Sequence, residues 1–306
     1  MPDSVDTQKT DENWLVRPAP DDPHLTRRLA GQDHDGASVD IAVVEERPLT
    51  LFLNGQEIVT VMTIGDRPDD LAVGYLLNQN MLRDDDEILG VEYDDDIEVV
   101  VVRTARQTDF EEKLRKKTTT SGCAQGTVFG DIMESFDETV LPADARLQTS
   151  WIYALSKAIN LTPSLYLAAG AIHGCVLCHR DKPLIYMEDV GRHNAVDKIR
   201  GYLHVNGIGT ADKILYTTGR LTSEMVIKTV QMGIPILISR SGFTAWGVEL
   251  ARRAGLTLIG RAKGKRFVAL SGLDRLVYDA DPNQVPEEDR RHRRKSAEDQ
   301  DAEART

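Results

Sequence analysis

Residues 213–260 decide the fold, and they read KILYTTGRLTSEMVIKTVQMGIPILISRSGFTAWGVELARRAGLTLIG. Short apolar runs alternate with amphipathic segments, which is the pattern of strands alternating with helices. Gly233 and Gly255 follow the amphipathic segments, at the position where a glycine commonly ends a helix. The apolar runs suit central parallel strands that are buried on both faces. The stretch therefore predicts an α/β layer, with strands over 213–218, 234–239 and 256–260 and helices over 223–232 and 244–254.

The same alternation extends towards the N-terminus as far as residue 149. It predicts further elements in the following order: a helix over 151–160, strands over 165–178 and 184–188, and a helix over 194–204. We therefore predict an α/β domain over residues 149–272.

Residues 38–148 show a different pattern and predict a smaller α+β N-terminal domain. Asn54-Gly55 between two β-prone runs is a hairpin signal, and Pro68 followed by two acidic residues opens a helix. Four strands are predicted, over Val39–Val44, Leu49–Leu53, Ile58–Met62 and Ile97–Val102. The polar and charged composition of residues 1–37 and 273–306 predicts disordered tails.

The bulk composition excludes several classes of protein. The 306 residues include 37 Lys and Arg against 49 Asp and Glu, a net charge of -12, which argues against electrostatic capture of nucleic acid. No apolar run approaches the roughly 20 residues of a membrane helix, and the N-terminus lacks the pattern of a leader. Three cysteines are too few for a disulfide framework. We expect a cytoplasmic protein without a nucleic-acid or membrane partner.

Cys123 lies in the loop Thr120-Ser-Gly-Cys-Ala-Gln-Gly126 and is the first candidate for chemistry. The glycines and hydroxyl side chains around it are not those of a packed core. Basic residues just upstream, Lys113 and Arg115–Lys117, favour the nucleophilic thiolate. An incidental loop cysteine is the alternative, and the residue pattern by itself leaves both interpretations open.

The segment His173-Gly-Cys175-Val-Leu-Cys178-His179 resembles part of a zinc site. In a strand, however, Cys175 and Cys178 point to opposite faces, because they are an odd number of residues apart. We therefore predict buried thiols and no metal site. His173 remains a candidate for lining a pocket.

A dense group of polar residues, EDVGRHNAVDK, spans residues 188–198 from a strand end into a helix. Arg192 and His193 directly precede the helix predicted over 194–204, whose N-terminus could bind an anion. His193 could instead act as an acid, a base or a capping partner. The alternative without a functional role is an exposed capped turn.

Three turns that contain glycine follow predicted strands. They are Gly219-Arg220, Ser241-Gly242 and the basic turn made of Arg261, Ala262, Lys263, Gly264, Lys265 and Arg266. Since ligands bind at the carboxyl ends of strands in open α/β sheets, we expect the turns to meet at one place. Their composition favours a nucleotide-like anionic ligand, although no complete phosphate-loop motif is present.

Together these residues resemble the FdhD/NarQ family of formate dehydrogenase accessory sulfurtransferases, over about residues 45–270. The resemblance rests most on the stretch 188–198. It also rests on ERPL at 46–49 with Asn54-Gly55, DLAVGYLL at 70–77, Gly170 with His173, Gly219-Arg220, IPIL at 234–237 and TLIG at 257–260.

The resemblance implies a sulfurtransferase that takes persulfide sulfur from a cysteine desulfurase. It would transfer this sulfur to the molybdenum cofactor, in its bis(molybdopterin guanine dinucleotide) form, before the cofactor enters formate dehydrogenase. Cys123 would hold the persulfide, and the cofactor would be cargo that is not permanently bound. Arg261–Arg266, with Gly219, Arg220, Arg192 and His193, would bind it. The resemblance further implies a second domain similar to cytidine deaminases, and it is compatible with a homodimer.

Two departures from the family pattern bear on the mechanism. The family often carries Cys-Gly-x-Cys-Gly in the loop, whereas Gly126 replaces the second cysteine here. A relay between two loop cysteines is therefore impossible, and a cofactor-binding chaperone without sulfur transfer remains the alternative. The family also usually has an aromatic residue where Arg261 stands.

A zinc nucleoside deaminase on the same fold is excluded on its motifs. That enzyme needs His-x-Glu followed by Pro-Cys-x-x-Cys. The chain has His193-Asn-Ala instead, and no Pro-Cys-x-x-Cys follows.

Overall fold

The computed structural model describes residues 14–106, 117–119 and 126–283. Cys123 and most of its loop therefore lie outside the described residues. The described parts form a mixed α/β protein with several sheets, in agreement with the predicted class.

The N-terminal part contains a ribbon and a four-stranded sheet. Strands β1 (Thr26–Gln32) and β2 (Ser38–Val44) pair antiparallel in the ribbon. The sheet has the order β4-β3-β6-β5 and is covered by helix α1. Its elements are β3 (Arg47–Leu53), β4 (Gln56–Thr63), α1 (Pro68–Asn78), β5 (Ile88–Asp94) and β6 (Val99–Thr104). The hairpin at Asn54-Gly55 is confirmed, with Asn54 in the left-handed region at φ 55.

The middle of the chain connects the two sheets through short elements. They are β7 (Lys117–Thr119), β8 (Gly126–Val128), α2 (Phe129–Glu138), β9 (Leu147–Gln148), α3 (Thr149–Leu161) and α4 (Leu165–Ala168). A strand was predicted over 165–178, and its first part is wrong. The Ser164 side chain accepts a hydrogen bond from Leu167 N, and this cap starts the short helix α4.

The main sheet has six strands in the order β11-β10-β12-β13-β14-β15. The remaining elements are β10 (His173–His179), β11 (Lys182–Asp189), α5 (Arg192–Val205), β12 (Lys213–Thr217), α6 (Ser223–Gln231), β13 (Ile236–Ser239), α7 (Ala245–Ala254), β14 (Thr257–Lys263), β15 (Arg266–Ser271) and β16 (Leu276–Val277). Strands β12, β13 and β14 are parallel, as the apolar runs predicted.

Hydrophobic cores lie on both faces of the main sheet. Helices α5, α6 and α7 bury apolar residues on one face, among them Val196, Val226 and Ala251. Helix α3 buries Ile152 and Leu155 on the other. Each central strand is therefore enclosed on both sides, which explains why its sequence is apolar without alternation.

Residues that the composition assigned to the two tails are partly structured. The backbone N of Leu15 donates to Leu184 O at 2.8 Å, and Tyr186 N donates to Val16 O at 3.1 Å. Residues near Val16 thus pair with the outer strand β11, and the ribbon follows. At the other end, β16 pairs with β9. Composition missed these segments because backbone pairing along a sheet edge requires few apolar side chains.

The hydrophobic cores do not divide at residue 148, where the sequence placed a domain boundary. Ile132 and Phe136 of α2 are buried in the core of the main sheet with α6. The likeness of the second domain to cytidine deaminases stays a prediction. In the described part of the chain, no helix combines the length and apolar character needed to cross a membrane.

Candidate functional site

Four strands of the main sheet end at the same edge. Strands β11 and β12 are both antiparallel to β10 and so run in one direction, which β13 and β14 share. Helices α5, α6 and α7 start just after β11, β12 and β13, and their N-terminal ends therefore lie at this edge as well. Helix N-termini carry partial positive charge and free N–H groups, so this edge attracts anions.

A cleft of about 560 Å³ opens at this edge. Its lining includes Tyr166, Thr218, Arg240, Ser241, Arg261 and Lys263. Arg261 N donates to Ser241 O at 2.7 Å, and Ser239 Oγ donates to Gly219 O at 2.6 Å. These bonds connect the segments that follow β12 and β13 with the C-terminal part of β14. The three predicted segments therefore lie close together at this edge, although the third contributes the end of β14 and not a turn.

Arg261 has a strained backbone at the cleft. Its φ of 54 lies in the left-handed region, which non-glycine residues seldom adopt, and the β14–β15 pairing is irregular from Gly260 to Lys263. The next residue, Ala262, is buried in the core, whereas Arg261 and Lys263 are exposed. The bulge thus presents two cations to the cleft.

The basic segment differs in shape from the turn that the sequence predicted. Strand β14 continues to Lys263, and β15 begins at Arg266, so only Gly264 and Lys265 form the turn. A second cleft of about 710 Å³ is lined by Arg261, Lys263, Lys265 and Arg266 together with Tyr153 and Tyr278. Arg261 and Lys263 therefore border both clefts.

Two histidines and two arginines interact electrostatically near the starts of β10 and α5. Burial lowers the pKa of His173, and the charges of Arg192, His193 and Arg220 lower it further. Burial also lowers the pKa of His193, although Glu224 Oε2 lies 3.0 Å from its Nε2. Both imidazoles are thus favoured in the neutral form. Neutral histidines can donate or accept a proton beside a bound anion.

Four of the predicted anion-binding residues lie in this region, namely Arg192, His193, Gly219 and Arg220. Among these four, only Arg220 is exposed. Arg192 and His193 are buried, as is Gly219. A Cβ atom on Gly219 would lie 2.9 Å from Cδ of Arg192, so the absence of a side chain leaves room for the arginine. Direct ligand contact is therefore open to Arg220, while Arg192 acts through its charge on the neighbouring groups.

The stretch 188–198 mainly forms a buried network, which corrects the view of it as an exposed turn. Lys198 Nζ lies 2.6 Å from Asp189 Oδ2 and 2.5 Å from Asp66 Oδ1. Thr63 Oγ1 donates to Asp189 at 2.5 Å. Burial by itself would lower the pKa of Lys198, but the two carboxylates outweigh it and raise the pKa. The network joins β4 and the loop after it to the main sheet.

A second buried ion pair connects three helices. Lys228 Nζ of α6 donates to both carboxylate oxygens of Asp197 in α5 at 2.7 Å, and Asn78 of α1 donates to the same carboxylate at 2.6 Å. Asp197 and Lys198 therefore hold the N-terminal sheet with α1 against the main sheet. They support the site without touching the cleft.

The two described cysteines are not placed for metal binding. Cys175 packs with α5 and α6, whereas Cys178 packs with α3 on the opposite face of the sheet. The prediction that they point to opposite faces is confirmed. Over residues 14–106, 117–119 and 126–283, no three His, Cys, Asp or Glu side chains are grouped so that they could hold a metal ion.

Comparison with known proteins agrees with this arrangement. The model of the FdhD/NarQ family matches residues 44–277. The chain belongs to the FdhD/NarQ family. The matched range includes the buried network, the strand-end cleft and Cys123.

Related proteins cover most of the chain. It is 31% identical to the sulfur carrier protein FdhD of Wolinella succinogenes, over 79% of this chain and 85% of that protein. It is 28% identical to the protein of that name from Bacillus subtilis, over 76% and 88%. A crystal structure of a candidate formate dehydrogenase accessory protein from Desulfotalea psychrophila matches with a TM-score of 0.66 and 27% identity, over 82% of this chain and 98% of that one.

Sequence reasoning missed several residues around the site of this FdhD/NarQ protein. Arg240 directly follows β13, and the strand-end argument could have included it. Tyr166 was missed because its segment was predicted to be a strand. Glu224 and Asp66 gave no signal, because only folding brings them to His193 and Lys198.

Proposed function

We propose that this protein takes persulfide sulfur from a cysteine desulfurase and transfers it to the bis(molybdopterin guanine dinucleotide) form of the molybdenum cofactor for formate dehydrogenase. Family membership supports the sulfur-carrier role. The observation that carries the cofactor part is the strand-end cleft, which Arg240, Arg261 and Lys263 line at the sheet edge where three helices begin. Such a cleft suits the phosphates of a dinucleotide.

Cys123 is the proposed carrier of the sulfur. Its thiolate attacks the terminal sulfur of the donor persulfide, so that one S–S bond forms as another breaks and the desulfurase cysteine leaves as a thiolate. Cys175 and Cys178 are poor substitutes. Both are buried, and burial raises the pKa of each thiol, that of Cys175 to about 12. We expect this chemistry in the cytoplasm, where thiols stay reduced.

The test uses the full chain incubated with a cysteine desulfurase and cysteine. Intact mass should show one added sulfur on the wild-type protein and none on Cys123→Ala. The double variant Cys175→Ala/Cys178→Ala is the matched control and should load sulfur normally. If the folded control variant, with Cys123 intact, failed to load sulfur, the active thiol would be Cys175 or Cys178 and not Cys123.

A cellular experiment separates sulfur transfer from simple cofactor carriage. Formate dehydrogenase activity is measured in cells whose own copy of this protein is replaced by Cys123→Ala. We expect activity to be lost. Full activity would refute the sulfurtransferase and leave the alternative, a chaperone that binds the cofactor without transferring sulfur.

A further inference from the structure

Tyr166 and Arg240 form a cation–π pair in the strand-end cleft. The guanidinium carbon of Arg240 lies 5.2 Å from the centroid of the Tyr166 ring, and both residues are half-buried and line the cleft. An arginine over a tyrosine ring is held by cation–π attraction.

The Tyr166 side of the pair is fixed by a buried carboxylate. Glu188, only 3% exposed, accepts hydrogen bonds from Leu165 N at 2.8 Å and from Tyr166 N at 2.9 Å. The Ser164 cap holds the same short helix. Because the backbone at residue 166 is bonded to a buried group of the sheet, the point from which the ring projects into the cleft is held in place before any ligand arrives.

The Arg240 side is fixed as well, yet its charge is not neutralised. Arg240 Nη1 donates to Asn160 Oδ1 at 3.0 Å, and its backbone N donates to Thr217 O at 3.3 Å. In the described part of the chain, no carboxylate forms an ion pair with Arg240, whereas many other arginines have one, for example Arg106 with Asp86. A held but unneutralised guanidinium in a cleft fits an anionic ligand with a flat group.

We propose that the Tyr166–Arg240 pair is a stacking platform for a fused-ring heterocycle, a purine or a pterin, whose phosphates contact Arg261 and Lys263. This inference rests on the proposed function, in which the cleft binds a cofactor that contains both kinds of ring. It adds the part of the cleft that binds the ring and the residues that form it. Glu188 is the positioning residue, because it holds Tyr166 without facing the ligand.

The experiment measures binding of GDP, neopterin monophosphate and inorganic pyrophosphate to the full chain by calorimetry. Pyrophosphate carries charge but no ring, so it isolates the phosphate contacts. Arg240→Lys keeps the charge and removes the flat group, Tyr166→Leu removes the ring, and Tyr166→Phe is the matched control. Thermal unfolding of each variant checks that it is folded.

We expect wild-type protein to bind at least one of the two ring-containing ligands more tightly than pyrophosphate. Arg240→Lys and Tyr166→Leu should each lower the affinity for that ligand by about tenfold, since stacking on arginine or an aromatic ring contributes at this level. The affinity for pyrophosphate should change by less than about twofold. Tyr166→Phe should bind as wild type. The ring ligand that loses affinity identifies the source of the heterocycle.

Two results would overturn the platform and leave the proposed function standing. One is that Arg240→Lys weakens the binding of pyrophosphate and of the ring-containing ligands equally. That result would show that Arg240 contacts only the phosphates and not the ring. The other is ring ligands that bind no better than pyrophosphate in wild type. If neither pyrophosphate nor any ring ligand binds, the cofactor-binding cleft fails, and the platform fails with it.

Discussion

Gly74 of α1 and Gly201 of α5 face each other where the two helices cross. A Cβ atom on Gly74 would lie 2.6 Å from Gly201 N and would overlap the carbonyl oxygen of Asp197. A Cβ on Gly201 would lie 2.7 Å from the carbonyl carbon of Asp70. The backbones of the helices are therefore in direct contact, and this contact brings Asn78 within reach of Asp197.

Gly74→Ala should destabilise the protein although alanine favours helices. The added methyl group meets backbone atoms, which cannot rotate away, so the helices must separate. Overpacking of this kind costs about 1–3 kcal/mol, and here we expect the upper end of that range. Urea unfolding measures the difference. Gly209→Ala, which meets no atom within 4 Å, is the control and should change stability little. Equal stability of both variants would contradict the close contact.

The sequence predicted the main sheet well, because its strands and helices are local patterns. The apolar runs at 234–239 and 256–260 became β13 and β14, and the glycines at 233 and 255 end the helices before them. The strand-end cleft followed from the same pattern. The network around Asp189 did not, because Thr63 and Asp66 lie more than a hundred residues away in the chain. No local pattern records which distant carboxylate neutralises a buried lysine.

Removing the charge of Lys198 should be costly. Lys198→Met leaves Asp189, which is fully buried, without its cation. Breaking a buried pair from one side costs about 3–5 kcal/mol, because the remaining charge has no compensation. Chemical unfolding at pH 7 measures the loss. Arg103→Met breaks the exposed pair with Glu92 and should cost less than about 1 kcal/mol. A loss for Lys198→Met as small as for Arg103→Met would show that Asp189 finds another partner.

Mild acid should destabilise the protein partly through His193. The folded state lowers the pKa of this histidine through burial. As the pH falls through about 6.5, the unfolded chain therefore binds a proton that the folded protein does not. Stability should decrease in that window, by at most about 1.4 kcal/mol per pH unit for one histidine.

The measurement compares the pH dependence of unfolding in wild type and His193→Gln between pH 7.5 and 5.5. The slope should be shallower in His193→Gln, and not abolished, because the pKa of His173 is lowered too. An unchanged slope in His193→Gln would mean that Glu224 offsets the effect of burial, so that the pKa of His193 is the same in the folded and unfolded states.

The two buried cysteines should not react with thiol reagents in the folded protein. Cys175 and Cys178 are both 0% exposed, and burial raises the pKa of both thiols, that of Cys175 to about 12. Alkylation requires the thiolate and access to it, and the fold denies both. In the Cys123→Ala variant at pH 8, iodoacetamide should therefore add no label to native protein and two labels after unfolding in urea. Rapid native labelling of either cysteine would show that the sheet opens, and that sulfur loading could not be assigned to Cys123 by mass alone.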